Sequence, residues 1–142
     1  MVYRLGSQEA ANEFWRLQEE RDPQFMETIK GLHIRIILLG TDAPGNEDKQ
    51  LSLVIEDGRF IEIIPETKTA PSELRTKPFD RNKYQCRAIA PQQTLIELCK
   101  GEIDVLQAMD RVKIEGDSGV LLTQMSGFMK FMEFLGKMDI QP

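Results

Sequence analysis

A chain of 142 residues, 41% apolar and 29% charged, matches one ordinary domain in size and is too well supplied with hydrophobes to be disordered. Its formal net charge of −5 argues against nucleic acid as a partner, because neutralising a phosphate backbone takes a basic face.

In chain order, SQEAANEFWRLQEERD (7–22) reads as an amphipathic helix. Ser7 is its N-cap, and Ala10, Phe14 and Leu17, with Trp15 beside them, form its apolar face. Asp22-Pro23 should end it. LHIRIILL (32–39) is a buried strand, followed by a polar loop over 40–49. QLSLVIEDGRFIEII (50–64) carries Asp57-Gly58 between two apolar runs, the pattern of a two-residue hairpin. That register sets Glu56 opposite Arg59 and Ile55 opposite Phe60. It gathers Leu51, Leu53, Ile55, Phe60 and Ile64 on the core face. Residues 65–80, with three prolines, read as a long surface excursion. RNKYQCRAIA (81–90) alternates Tyr84, Cys86 and Ala88 with Lys83, Gln85 and Arg87, a strand with one wet face. Pro91 opens a helix stopped by Gly101, and EIDVLQAM (102–109) is a short helix with Ile103, Leu106 and Met109 inward. RVKIEG (111–116) is a strand, and Asp117 is placed to cap a last helix over 118–138. The order predicts an α+β fold: one mostly antiparallel sheet covered by helices.

Signs of catalysis are thin. No HExxH, CxxC, GxSxG, Walker A or GxGxxG spacing occurs, and the one histidine, His33, lies in an apolar strand. Cys86 and Cys99 make no disulfide framework and suit buried thiols of a reducing compartment. No metal site and no cofactor is expected, since one histidine and two separated cysteines make no ligand spacing. Arg75, Lys77, Arg81, Lys83 and Arg87 crowd into thirteen residues. They read either as charge guarding an edge strand or as a basic rim for an anionic head group, with Arg75, Arg81 and Lys83 as the candidates. MVYRLGSQEA shows no signal peptide, the longest apolar run (36–39) is far short of a span, and the final DIQP is no targeting address. No transmembrane segment and a cytoplasmic location are therefore expected.

The last helix is the unusual feature. MSGFMKFMEFLGKM (125–138) holds four of the seven methionines and three of the seven phenylalanines. At 100° per residue, Leu121, Met125, Phe128, Met132 and Leu135 form a seam. Leu122 and Met129 widen it on one side, and Phe131, Phe134 and Met138 on the other. The apolar arc spans roughly 240°, whereas packing on a sheet needs little more than 100°. Other helices, a second copy of the chain or an apolar ligand must cover the excess. Methionine, flexible and polarizable, suits a surface that accepts ligands of varied shape.

The segment LIELCKGEIDVLQAMDRVKIEGDSGVLL, running into that helix, resembles the sterol carrier protein (type two) domain family of lipid-transfer domains. The points of resemblance are Gly101-Glu102, the short helix from Val105 to Met109, the strand Val112-Lys113-Ile114, Gly116-Asp117 and the 118–138 helix. LSLVIEDGRFIEI resembles the family's upstream hairpin, so the likeness covers residues 8–138 in order of elements. It implies a single domain over 1–142, with a five-stranded mixed sheet and helices over one face enclosing an apolar tunnel. It implies binding of fatty acid, fatty acyl-CoA, sterol or phospholipid, and no catalytic residues. The tunnel wall would fall on Leu95, Leu98, Leu106, Met109, Leu121, Met125, Phe128, Met129 and Met132. The expectation is a non-enzymatic intracellular carrier of an apolar small molecule, in at most transient contact with membranes. The alternatives are a homodimeric interaction module, with the surplus arc as its seam, and an accessory domain of a lipid-metabolising enzyme.

Overall fold

The computed structural model describes residues 2–142. Two terminal strands, β1 (Tyr3–Arg4) and β7 (Ile140–Gln141), pair in parallel and clip the chain ends together. Helix α1 (Gln8–Glu19) begins where expected: the Ser7 hydroxyl oxygen accepts the Ala10 N–H at 3.1 Å, and Ala10, Ala11, Phe14 and Leu17 are buried. The chain turns at Arg21, with φ of 54°, into a second helix, α2 (Pro23–Ile29). Its N-terminus is capped by Asp22, which accepts the Phe25 N–H at 3.0 Å. Asp22-Pro23 thus ends one helix and starts another.

The main sheet contains β2 (Ile34–Ala43), β3 (Glu47–Glu56), β4 (Arg59–Thr69), β5 (Cys86–Pro91) and β6 (Lys113–Gly116), in the spatial order β4-β3-β2-β5-β6. Only β2 and β5 run parallel; the other pairs are antiparallel, so the sheet is mixed and mostly antiparallel. The polar stretch 40–49 is mostly strand rather than loop. Gly40 and Thr41 still pair with β5, and Glu47, Asp48 and Lys49 pair with β4, so the neighbouring strands carry the ladder through residues of poor strand propensity. The expected strand over 81–90 starts only at Cys86.

The Asp57-Gly58 turn has positive φ at both residues, 49° and 74°. A Cβ on Gly58 would lie 3.0 Å from the Ile29 carbonyl oxygen, so the turn also needs glycine to let the end of α2 approach. Ile55 faces Phe60 and Glu56 faces Arg59, as the hairpin register requires. Beyond that point the sequence expectation fails. Val54 pairs with Glu62, leaving Ile61 as a bulge that turns the rest of β4 over. Ile63 is therefore buried, while Ile64 is 42% exposed and does not belong to the core face. Near the bulge, Gln18 of α1 serves the outer edge of β4: its side chain donates to the Phe60 carbonyl at 3.0 Å and accepts the Phe60 N–H at 2.6 Å.

Helices α3 (Gln92–Cys99), the single turn α4 (Val105–Ala108) and α5 (Gly119–Lys137) complete the fold. Ser118, not Asp117, holds the N-cap position of α5, although the Asp117 carboxylate still accepts the Gly119 N–H at 2.9 Å. Helices α1, α2, α3 and α5 pack on one face of the sheet, over Ile34, Ile36, Leu53, Ile55 and Phe60. There Phe14, Phe25, Phe60, Phe131 and Phe134 form a continuous aromatic cluster with ring centroids 5.4 to 6.1 Å apart. The carboxyl end of α5 is drawn tight against α3, where a Cβ on Gly136 would lie 2.1 Å from the Cys99 carbonyl oxygen. The opposite face of the sheet is crossed by the segment between β4 and β5, over a small cluster of Ile37, Val54, Tyr84 and Phe79.

Candidate functional site: an apolar cavity under the last helix

Beside the aromatic cluster, α5 separates from the sheet and leaves a cavity of about 350 Å³. Its floor is Ile36 and Leu38 of β2, Ala88 of β5 and Ile114 of β6. Its sides are Leu95 and Leu98 of α3, Val105 and Ala108 of α4, Met109 and Val112. Its roof is α5, through Leu121, Leu122, Met125, Phe128, Met129 and Met132. Ser118 is the one polar side chain among the described residues that line it. Met109, Ile114 and Leu122 line the cavity and are also exposed to solvent, so they mark its mouth.

Local sequence explains this geometry. Alternation on β2 sends Ile36 and Leu38 to the helical face and Ile37 to the other. The i, i+3, i+4 set of α4 and the turn after it, Val105, Ala108 and Met109, faces inward. Leu106 lies one position along that turn and points away, 82% exposed; it is not part of the wall, against the expectation from sequence. The other eight residues expected on the tunnel wall all line this cavity. The sequence reading omitted the sheet floor and Val105, Ala108, Val112 and Leu122. The strand alternation and the helical spacing of α4 carried the signal for most of them.

The expected head-group cations lie on the other side of the sheet, and two are engaged in ion pairs. Arg75 donates to the buried Asp48 carboxylate from Nε and a terminal nitrogen, both at 2.8 Å, and to Asp42 at 2.9 Å. Burial alone would raise the Asp48 carboxyl, but hydrogen bonds from Arg75, the Ser72 hydroxyl and the Ser72 N–H outweigh it and hold the group well below the usual carboxylate range. Lys83 donates to Glu62 at 2.8 Å, and the Tyr84 hydroxyl donates to the same carboxylate at 2.8 Å. Arg81 lies over the Phe79 ring, 5.0 Å from its centroid. The basic cluster does not guard an edge either, because β5 is flanked by β2 and β6. Arg87, expected on a wet face, is buried: it donates to Glu115 at 2.8 Å and to the Lys77 carbonyl at 2.5 Å, under the crossing segment. Arg75, Lys83 and Arg87 tie that segment to the sheet, and none of the four cations lines the cavity.

The two cysteines and His33 do not line the cavity. Both cysteines are free and buried. Burial, then the nearby charge of Asp117, pushes the Cys86 thiol up to about 11, and burial pushes Cys99 up to about 12, so both stay protonated and poorly nucleophilic at neutral pH. His33 is exposed just before β2 and does not line the cavity; its backbone N–H donates to Gln124 at 2.9 Å. Among the described residues, no helix is long and apolar enough to cross a membrane.

No protein-family model matches the chain, and no curated protein matches it either. Solved structures do. A protein of Thermus thermophilus described as a possible sterol carrier protein superposes with a TM-score of 0.64 at 12% identity, over 98% of this chain and 92% of that one. A crystal structure of sterol carrier protein 2 superposes with a TM-score of 0.64 at 13% identity, over 94% and 98% of the two chains. Sterol carrier protein domain 2 of Helicoverpa armigera gives 0.50 at 11% identity, over 85% of each. At such identities the likeness is one of fold: this chain has the fold of the sterol carrier proteins, as the resemblance of its motifs implied.

Proposed function

We propose that residues 1–142 act as one non-enzymatic lipid-binding unit, which carries an apolar small molecule in the cavity beneath α5. Fatty acid, fatty acyl-CoA, sterol and phospholipid are the ligand classes that the sterol carrier fold brings into view. The observation that carries this reading is the cavity itself, whose volume of about 350 Å³ lies within the range of small-molecule sites and whose wall, Ser118 apart, is hydrocarbon and thioether. Each methylene buried there contributes about 0.8 kcal/mol, so affinity can come from the chain with few polar contacts and loose selectivity. The two buried, free thiols suit a cytoplasmic, reducing setting. Incubation with a total lipid extract followed by native mass spectrometry tests the reading. It predicts a one-to-one adduct of an apolar molecule, and bare protein alone would reject it.

A second reading is favoured by one observation: Leu106 of α4 and Leu122 at the mouth are 82% and 81% exposed, two large apolar side chains that a second copy of the chain would cover. It makes this rim a homodimer seam. Sedimentation across a hundredfold dilution distinguishes the two, since a carrier with a solvent-facing mouth stays monomeric throughout.

A further inference from the structure

We propose that the cavity accepts only uncharged occupants, and that any ionised head group of a ligand stays outside its mouth; this rests on the carrier reading above. The wall is contributed by β2, β5, β6, α3, α4 and α5 and the turn after α4, and none of these presents a titratable side chain to it. Ser118, at the start of α5, offers a lone hydroxyl. The cations expected to answer a carboxylate or phosphate are beyond the sheet and engaged: Arg75 with Asp48, Lys83 with Glu62, Arg87 with Glu115. Arg111 and Lys113, next in sequence to the lining residues Val112 and Ile114, are exposed to water and do not line the cavity.

A charge drawn into this space would lose its water and find no counter-ion. The penalty for an ionised group is far larger than for a hydroxyl or an ester, so the ion stays in water. At about 30 Å³ per water-sized group, the cavity holds about a dozen heavy atoms. A ten-carbon chain with its head group is therefore enclosed whole, whereas a longer one leaves its head at the mouth. Selection against charge is thus sharpest for short ligands. Its sign does not matter, because neither a cation nor an anion finds a partner.

The test is displacement of 1-aminonaphthalene, a fluorescent probe small enough for the cavity and uncharged at pH 7. The competitors are decanol, methyl decanoate, decanoate and decylammonium, each kept below its aggregation concentration. The expected result is that decanol and methyl decanoate displace the probe at concentrations at least tenfold lower than either ion. Leu122→Lys, which sets a cation at the exposed mouth, should raise the affinity for decanoate relative to decanol. Decanoate or decylammonium matching decanol in the unaltered protein would overturn the proposal while leaving the carrier reading intact. An unchanged decanoate-to-decanol ratio in Leu122→Lys would overturn the placement of the head group. Failure of all four to displace the probe would overturn the carrier reading and this proposal with it.

Discussion

The two long edges of α5 are equally apolar and are used in opposite ways. Along one, Phe131, Phe134 and Leu135 are buried in the aromatic cluster with Phe14, Phe25 and Phe60, and Gly136 brings the backbone against α3. Along the other, Leu121, Met125, Met129 and Met132 hang over open space. Rigid rings with two rotatable bonds specify one packing, whereas unbranched thioethers accept several. A single helix can therefore be anchored by phenylalanine on one edge and stay adaptable through methionine on the other. Phe128 stands between the two, its ring 6.1 Å from that of Phe131 and its surface on the cavity wall.

The largest test of this contrast is Phe131→Ala, which leaves a sealed void in the aromatic cluster and should cost about 4 kcal/mol in urea unfolding. Met129→Ala only widens a cavity already open, so its loss should stay below about 1 kcal/mol. Equal losses would break the comparison. Next in size, Asp48→Asn on the far face should cost about 3 kcal/mol by leaving Arg75 without its buried partner, with ligand affinity unchanged. Because that carboxyl is held below its ordinary range, its contribution is fully present above about pH 4 and fades as the pH falls further. The stability gap between the two proteins should accordingly narrow from pH 5 to pH 3; a gap that widens would contradict the assignment. Smaller again, Met129→Asp and Phe128→Asp should each weaken ligand binding at least tenfold, about 1.4 kcal/mol, while the exposed Lys130→Asp leaves it within twofold. Arg81→Ala should change neither binding nor stability by more than about 0.5 kcal/mol. A loss of affinity there would return the cations to the ligand site.

How much of this was legible depended on whether the signal was local. The Ser7 cap, the Asp57-Gly58 turn and the wheel of α5 need only neighbouring residues, and their elements formed at those places. The bulge at Ile61 had no local mark, because RFIEII is apolar enough to bury Ile63 or Ile64 equally well. α2 is only seven residues long, too short for a helical period to emerge, and β1 and β7 exist through pairing between the chain ends. The basic cluster misled for a related reason. Charge reads as wet, and nothing near Arg87 announces that the segment leading into its own strand will fold back over it or that Glu115 will be its partner. Within the cavity, the roof was legible from periodicity, and alternation along β2 puts Ile36 and Leu38 on the helical face; that they meet a void there rather than a helix carries no local mark.

Whether α5 roofs a ligand site is read out by photolabelling with a tritiated long-chain alcohol bearing an aliphatic diazirine. Labelling should be saturable and one-to-one, competed by unlabelled alcohol, with the label in peptides spanning Leu121–Met132 and Leu95–Leu98. Label confined to the crossing segment between β4 and β5, or labelling that never saturates, would contradict it.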